Sequence, residues 1–375
     1  MLYQPSLQDS DYQVIEKIEG LRKQLRHGVG APQRWHGLLR RVTLARNIRA
    51  SNSIEGYNVT IDDAVAATEN EEPLEAHESD WRAVVGYRRA MTYVLQLARD
   101  EHFRFSTDLI RGFHFMMLEY DLSKNPGQWR PGWVAVRDSQ SGEVVYEGPD
   151  ADAVPALMDG LVEVLEKPDP KDPDLVQAAM AHLNLALIHP FSDGNGRMAR
   201  CLQTLVLART GVLAPVFSSI EEYLGNRRNT QAYYDVLAEV AQGHWSPQSD
   251  TRLWIRFCLT AHFRQAVTLL MRLRQYERLW DALEVEVQRR GLAERLVLAL
   301  WDAAIGLKVR NVTYRSAAEV SNDVASRDLK KLVDARLLIP HGRKRGRFYL
   351  GAPPVTTLFI RFKEDGNVPD PYDVT

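Results

Sequence analysis

Cysteine is nearly absent. Cys201 and Cys258 are the only two in 375 residues, which excludes a disulfide scaffold and offers no thiol spacing of the kind that holds zinc. Both lie in apolar helical patterns, as reduced core thiols do. No apolar run approaches the roughly 20 residues that span a bilayer. The opening MLYQPSLQDSDYQ also lacks the basic and then apolar profile of a secretory leader. The expectation is a cytoplasmic protein with no membrane partner. An excess of one charge is missing as well: 47 Lys and Arg face 49 Asp and Glu, a formal net charge of −2. Affinity for an anionic polymer would therefore have to come from a local patch. There is no internal repeat and no low-complexity tract. With 45% hydrophobic and 26% charged residues, disorder and fibrous classes are excluded. The length allows two or three domains, each with its own core.

What is present is helical periodicity, with apolar residues three and four apart from about residue 10 to 300. One segment breaks it. In GWVAVRDSQSGEVVYEGP, residues 132–149, Val134, Val136, Val144 and Tyr146 flank a polar turn around Ser139 to Gly142, which predicts a β-hairpin in a helical setting. In KPDPKDPD, residues 167–174, Asp172 reads as an N-cap and Pro173 as the first helical residue. The helix that follows carries Leu175, Val176, Ala179, Leu183 and Ala186 on one face, and Pro190 stops it just after His189. A second helix is expected from about Gly196, burying Met198, Cys201, Leu202, Leu205 and Val206 and closing at Gly211.

Between these two helices stands HPFSDGNGRMAR, residues 189–200. Gly194 and Gly196 let the backbone turn so that N–H groups at the start of a helix face an anion, a cradle for a diphosphate. Arg197 and Arg200 lie three apart, so both guanidinium groups reach one phosphate chain. Asp193 is the type of single carboxylate that joins substrate phosphates in holding Mg²⁺. His189 ordinarily titrates near neutrality and so suits a general base.

This loop resembles the Fic family: His189, Pro190, Phe191, Asp193, Gly194, Asn195, Gly196, Arg197 and Arg200 match every fixed position of its His-Pro-Phe-x-Asp/Glu-Gly-Asn-Gly-Arg-x-x-Arg motif. The resemblance runs from about residue 45 to 240. GQWR, residues 127–130, and the following hairpin resemble the family's target-binding flap, with Val144, Val145 and Tyr146 as its returning strand. EEYLGNRRNTQAYYDVL resembles its Asn-Arg and Tyr-Tyr region, with a longer gap between Asn226-Arg227 and Tyr233-Tyr234. The resemblance implies ATP and Mg²⁺ as cofactors, and transfer of AMP to a Ser, Thr or Tyr hydroxyl of a protein with release of pyrophosphate. His189 would take the hydroxyl proton and Asp193 would hold the metal. Gly194, Asn195 and Gly196 would hold phosphate oxygens, and Arg197 and Arg200 would neutralise the β- and γ-phosphates. Phe191 reads as a core anchor of the loop. Self-modification, for instance at Tyr146 or Ser51, and a homodimer stay open, as do removal of AMP and donors such as UMP or phosphocholine.

Upstream, SNSIEG places Ser51 and Glu55 four apart on one helical face, with Gly56 able to end the helix. The segment is similar to the family's inhibitory motif, Ser/Thr-x-x-x-Glu-Gly/Asn. Glu55 paired with Arg200 would remove a cation that the γ-phosphate needs and would repel that phosphate.

The sequence beyond residue 290 changes pattern. Three short helices precede a strand at Leu337, Leu338 and Ile339, the basic turn HGRKRGR and a returning strand, which predicts a winged helix-turn-helix. Val324, Leu329, Leu332, Val333 and Leu337 would face inward; Arg327, Lys330, Lys331, Arg343, Lys344, Arg345 and Arg347 would face outward, where duplex DNA is the candidate partner. The expected architecture is thus mainly α, a Fic-type helical bundle with a β-hairpin flap and a C-terminal winged helix-turn-helix. Its parts are an N-terminal region 1–78, a catalytic core 79–245, a helical connector 246–290 and the winged unit 291–375. The rival reading is a DNA-binding regulator whose core senses a nucleotide.

Overall fold

The computed structural model describes all residues except 31, 32, 138–141, 344, 345, 365, 367, 374 and 375. The chain opens with α1 (Asp9–Gly30), α2 (His36–Ile54), α3 (Ile61–Thr68), α4 (Glu78–Leu97) and α5 (Thr107–Leu118). A hairpin of β1 (Ala135–Arg137) and β2 (Val144–Glu147) follows, paired antiparallel with Val136 opposite Tyr146. The expected turn at Ser139 falls mostly outside the described residues. Then come α6 (Val154–Glu166), α7 (Asp174–Ile188), α8 (Asn195–Arg209), two single-turn helices α9 (Pro215–Ser218) and α10 (Glu221–Leu224), α11 (Arg227–Ala241) and the long α12 (Arg252–Arg289). The remaining elements are α13 (Val297–Ala304), α14 (Asn311–Ala317), α15 (Asn322–Asp334), the antiparallel pair β3 (Leu338–His341) and β4 (Phe348–Gly351), and α16 (Pro353–Arg361). The protein is mainly helical, as its periodicity predicts.

Two hydrophobic clusters organise these helices. The first gathers α4 to α8, α11 and the first half of α12; the second gathers most of α2, the second half of α12 and α13 to α16. At the centre of the first lies α7, and here the sequence reading needs correction. The expected single apolar face is in fact an all-round burial: Ala178, Met180, Ala181, Leu185 and Leu187 are buried as well, and Ala186 is only half-buried. Alanines at those positions carry little hydrophobic signal, yet their small side chains let neighbouring helices approach from every side. The start of α7 also shifts by one residue, since Pro173 is the cap and Asp174 the first helical residue. Likewise α8 begins at Asn195 and its regular turns end at Arg209, with Gly211 beyond them at a φ of +66°.

Close backbone approach sets the packing of α4 on α5. A Cβ on Gly86 would lie 2.3 Å from the Met117 carbonyl oxygen, too near for any side chain. Gly86→Ala is expected to force the helices apart and destabilise the fold by about 1–3 kcal/mol. Urea unfolding checks this; an unchanged midpoint would show that α4 and α5 separate freely.

Candidate active site

The loop joining α7 to α8 is held from below and from one side. His189 caps α7 in the left-handed region, at a φ of 51°, and Gly194 turns the chain again at +78° to start α8. Phe191 is fully buried and stacks on His114, ring centroids 3.7 Å apart. His114 accepts from the Gly127 N–H at 2.8 Å through Nδ1, so its Nε2 carries the proton donated to the Asp193 carbonyl at 2.9 Å. Burial pushes its pKa down to about 4, which keeps this tautomer neutral. Arg130 ties the loop to the flap: its Nε donates to the His189 carbonyl at 2.8 Å and its Nη2 to the Pro149 carbonyl.

The Asn195 side chain is committed to the loop itself. Its Oδ1 accepts from the Phe191 N–H at 2.9 Å and its Nδ2 donates to the Phe191 carbonyl at 2.8 Å. The amide is occupied in holding the loop, and what position 195 offers an anion is backbone.

His189 places Nδ1 3.2 Å from the Ala186 carbonyl, a contact that puts the proton on Nδ1 and leaves Nε2 as the acceptor. Burial lowers its pKa, so the ring is neutral at neutral pH. Arg197 is fully buried, and among the described residues none of its three guanidinium nitrogens finds a hydrogen-bond acceptor. Arg200, also buried, is engaged: Nε donates to Ser51 Oγ at 2.8 Å, and Nη2 donates to the Ser51 carbonyl at 2.9 Å and to Glu55 Oε1 at 2.7 Å. Ser51 lies in the last turn of α2, Glu55 caps that helix, and Gly56 turns the chain away at a φ of +86°. The same Glu55 oxygen lies 2.3 Å from where a Cβ of residue 196 would be. A carboxylate therefore rests against the first turn of α8, where backbone N–H groups and the helix dipole favour an anion.

Asp193 faces Lys124, whose Nζ is 2.5 Å from Oδ2 and also donates to Tyr57 Oη at 2.9 Å. Burial works in the other direction, but Lys124 and Arg197 hold the Asp193 carboxyl below its usual range. No group of three or more His, Cys, Asp or Glu able to hold a metal exists among the described residues. A single carboxylate is still the donor set of a Mg²⁺ that takes its other ligands from phosphates and water.

Glu55, His189 and Gly196 open onto one cavity of about 400 Å³, whose far wall carries Tyr233, Tyr234 and Tyr146. Val144 and Val145 are exposed, whereas Tyr146 turns inward and donates to the Leu187 carbonyl. The two hydroxyls raised for self-modification, Tyr146 and Ser51, are both buried and bonded. Lys124, Tyr57, His114 and the Arg130 contacts are the residues that sequence reasoning missed. So is Glu221, which lies buried near Arg200, accepts from Tyr87 Oη and is pushed up to about 7 by that burial. None of them sits in the loop motif.

In the C-terminal unit Arg327, Lys330, Lys331, Arg343 and Arg347 are exposed, while Lys344 and Arg345 lie outside the described residues. Leu329, Leu332 and Leu337 are buried; Val324 and Val333 are half-buried, and Ala325 completes the inner face. Asp328, an acid of the same segment, is buried and accepts from Arg295 at 2.7 Å and Tyr314 at 3.0 Å.

A glycine-rich turn between two buried helices, with a buried histidine and a two-stranded hairpin beside it, defines the class of fold. The sequence pattern of the Fic/DOC family matches residues 104–207. A protein adenylyltransferase Fic of Nematostella vectensis is 26% identical over 257 residues, 68% of this chain and 55% of that protein, so the chain spans about half its length. A Fido domain-containing protein of Dictyostelium discoideum is 35% identical over 103 residues, 26% of this chain and 70% of that protein. The crystal structure of a Fic family protein from Desulfovibrio desulfuricans superposes with a TM-score of 0.58 at 23% identity, covering 94% of this chain and 99% of that one. The chain belongs to the Fic/DOC family. No helix among the described residues is long and apolar enough to cross a membrane.

Burial of histidine gives the site a pH signature. His182 and His262 are pushed down to about 3 by burial, as His114 is to about 4. An unfolded histidine takes up its proton near 6.5. Between about 6.5 and 4 the unfolded chain thus binds protons that the folded chain refuses, so this stability is present above 6.5 and lost as pH falls. Urea midpoints at pH 7.5, 6 and 5 should decline, and His114→Gln should make the decline shallower. Equal slopes would show that His114 is not held neutral.

Proposed function

We propose that the protein is an autoinhibited protein adenylyltransferase, moving AMP from Mg·ATP to a Ser, Thr or Tyr hydroxyl of a protein and releasing pyrophosphate. The observation that carries this reading is the Glu55 carboxylate, which lies against the first turn of α8 and pairs with Arg200 at 2.7 Å. Nε2 of His189 takes the proton of the acceptor hydroxyl, whose oxygen attacks the α-phosphorus. The bond to the bridging oxygen of the β-phosphate breaks, and the leaving pyrophosphate gathers charge. Arg197, the N–H groups at the start of α8 and Arg200, once freed from Glu55, stabilise that charge. Mg²⁺, bound through Asp193, would neutralise phosphate oxygens. The edge of the flap strand aligns a target segment by main-chain pairing, which asks little of its sequence. The names of the Nematostella relative and others of its kind support the choice of AMP.

Three proteins test it with Mg²⁺ and ATP labelled at the α- or γ-phosphate: wild type, Glu55→Gly, and Glu55→Gly with His189→Ala. Label from the α position should survive denaturation and rise on the order of 100-fold in Glu55→Gly, the worth of one freed transition-state charge. His189→Ala should abolish it. No α-label in any protein overturns the reading; label from UTP or CDP-choline instead moves it to another donor, and AMP lost from a pre-labelled target moves it to removal.

A second reading concerns the C-terminal unit, for which the boundaries 291–375 are proposed along with 1–78, 79–245 and 246–290. The outward row Asn322, Ser326 and Lys330 of α15 borders a groove of about 760 Å³ closed by Arg315 and Arg347. With Asp328 turned inward, the acids left exposed on α15 are Asp323 and Asp334, the latter lining the groove among Arg310, Arg315, Lys330 and Arg347. This excess of cations suits a winged helix that contacts duplex phosphates. Duplex retention that falls steeply with salt, and falls further in Lys330→Glu with Arg347→Glu, is the expected result by fluorescence anisotropy. Salt-independent or absent binding removes DNA as a partner.

A further inference from the structure

The segment that carries Glu55 makes a second contact with the site, two residues further on. The Tyr57 N–H donates to the Asn52 carbonyl at 3.0 Å, which folds residue 57 back over the loop. Its hydroxyl accepts from Lys124 Nζ at 2.9 Å, and the same Nζ lies 2.5 Å from Asp193 Oδ2. The Arg197 guanidinium sits 5.0 Å from the centre of the Tyr57 ring and the Lys124 ammonium 5.6 Å from it. Tyr57 thus meets both cations, its ring beside the Arg197 guanidinium and its hydroxyl on the lysine that stands on Asp193. Lys124 ends the short turn Leu122–Lys124, which Asp121 caps through the Ser123 N–H at 3.1 Å. Its side chain is 25% exposed, so the ammonium has a route to solvent.

We propose that Lys124 is a tethered cation that occupies Asp193 while residues 51–57 are docked, and that Tyr57 holds it there, so that brake docking and metal binding exclude each other. The proposal rests on the reading in which Asp193 is the metal ligand. An ammonium and a divalent ion cannot share that oxygen at bonding distance, because their mutual repulsion adds to the loss of one lone-pair contact. A plain surface ion pair would not need the tyrosine hydroxyl as well. The residue type also fits: a compact ammonium on a flexible four-carbon stem can swing away, whereas a planar guanidinium would hold its carboxylate bidentately. By linkage, whatever metal and nucleotide gain by displacing Lys124 must loosen the hold on Tyr57, and the reverse. The segment then opposes nucleotide turnover twice, through Glu55 on the γ-phosphate arginine and through Tyr57 and Lys124 on the metal seat.

The test is Mn²⁺ binding by electron paramagnetic resonance in saturating ATP, in a His189→Ala background so that no transfer consumes the nucleotide. Lys124→Met and Tyr57→Phe should each tighten Mn²⁺ by about tenfold, an ordinary coupling between mutually exclusive ligands. Asp193→Asn should remove the gain. Structural damage does not produce tighter binding, so the sign of the change separates the proposal from a merely scaffolding lysine. Amide exchange across residues 51–57 should also quicken when Mn²⁺ and ATP are added to the His189→Ala protein, and stay unchanged when Asp193→Asn is added to it. If Asp193→Asn weakens Mn²⁺ while Lys124→Met leaves it unchanged or weaker, the exclusion is overturned and the metal assignment stands. If Asp193→Asn changes nothing, the metal assignment fails and takes the proposal with it.

Discussion

A buried guanidinium must have an anion. Arg200 is fully enclosed, and removing such a charge from water is costly unless a carboxylate and further acceptors meet it. In this chain those partners come from 145 residues upstream, from the last turn of α2. The helix that ends at Glu55 is thereby the one that neutralises this core cation. Yet the match is incomplete, since Arg200 Nη1 has no hydrogen-bond partner among the described residues and the Arg197 nitrogens have none. A phosphate chain brings more acceptors than one carboxylate does. The pair Glu55 and Arg200 thus seats the end of α2 and still leaves Arg200 Nη1 without an acceptor.

Seating of α2 is reinforced along its length. A Cβ at Gly225 would lie 2.6 Å from that of Ala50, so the helix rests directly on the turn between α10 and α11. Asn47 donates to the Val216 carbonyl at 3.0 Å, and Arg46 joins Arg272 on Glu222 at 3.1 and 2.8 Å. Burial would raise the Glu222 carboxyl, but Arg272 and Arg46 hold it down to about 2. Such contacts are independent of the nucleotide, so they set how far Glu55 moves when Arg200 is taken from it.

The loop at 189–200 was legible because its residue types are individually uncommon there and jointly specific. Ser51 and Glu55 were legible because helical spacing puts them on one face and the segment resembles the family's inhibitory motif. Lys124, Tyr57 and His114 were not, because each meets the loop across tens of residues and each is an ordinary residue in its own segment. A lysine before Asn-Pro-Gly and a tyrosine after Glu-Gly carry no periodicity to read. The bonds of the Asn195 amide to the Phe191 backbone were not legible either, because a motif position does not say which atoms its side chain meets. The inward turn of Asp328 has no signal in its own helix, since Arg295 and Tyr314 reach it from other segments.

The far end of α2 belongs to a different neighbourhood. Leu38, Leu39, Val42 and Ala45 pack in the second hydrophobic cluster, and Ile48 in the first. Arg41 pairs with Asp302 of α13, and the segment just after α2 is gripped further. The Lys308 N–H donates to Asp62 at 2.6 Å, Arg310 pairs with Glu71 at 3.0 Å and Thr313 donates to the same carboxylate at 3.0 Å. At 1.5 Å per residue α2 is about 28 Å long, a rigid bar with Glu55 at one end and the C-terminal helices along the other. Both clusters thus fix the course of α2, and where Glu55 stands depends on Asp302 at the far end as well as on Arg200 at the near one.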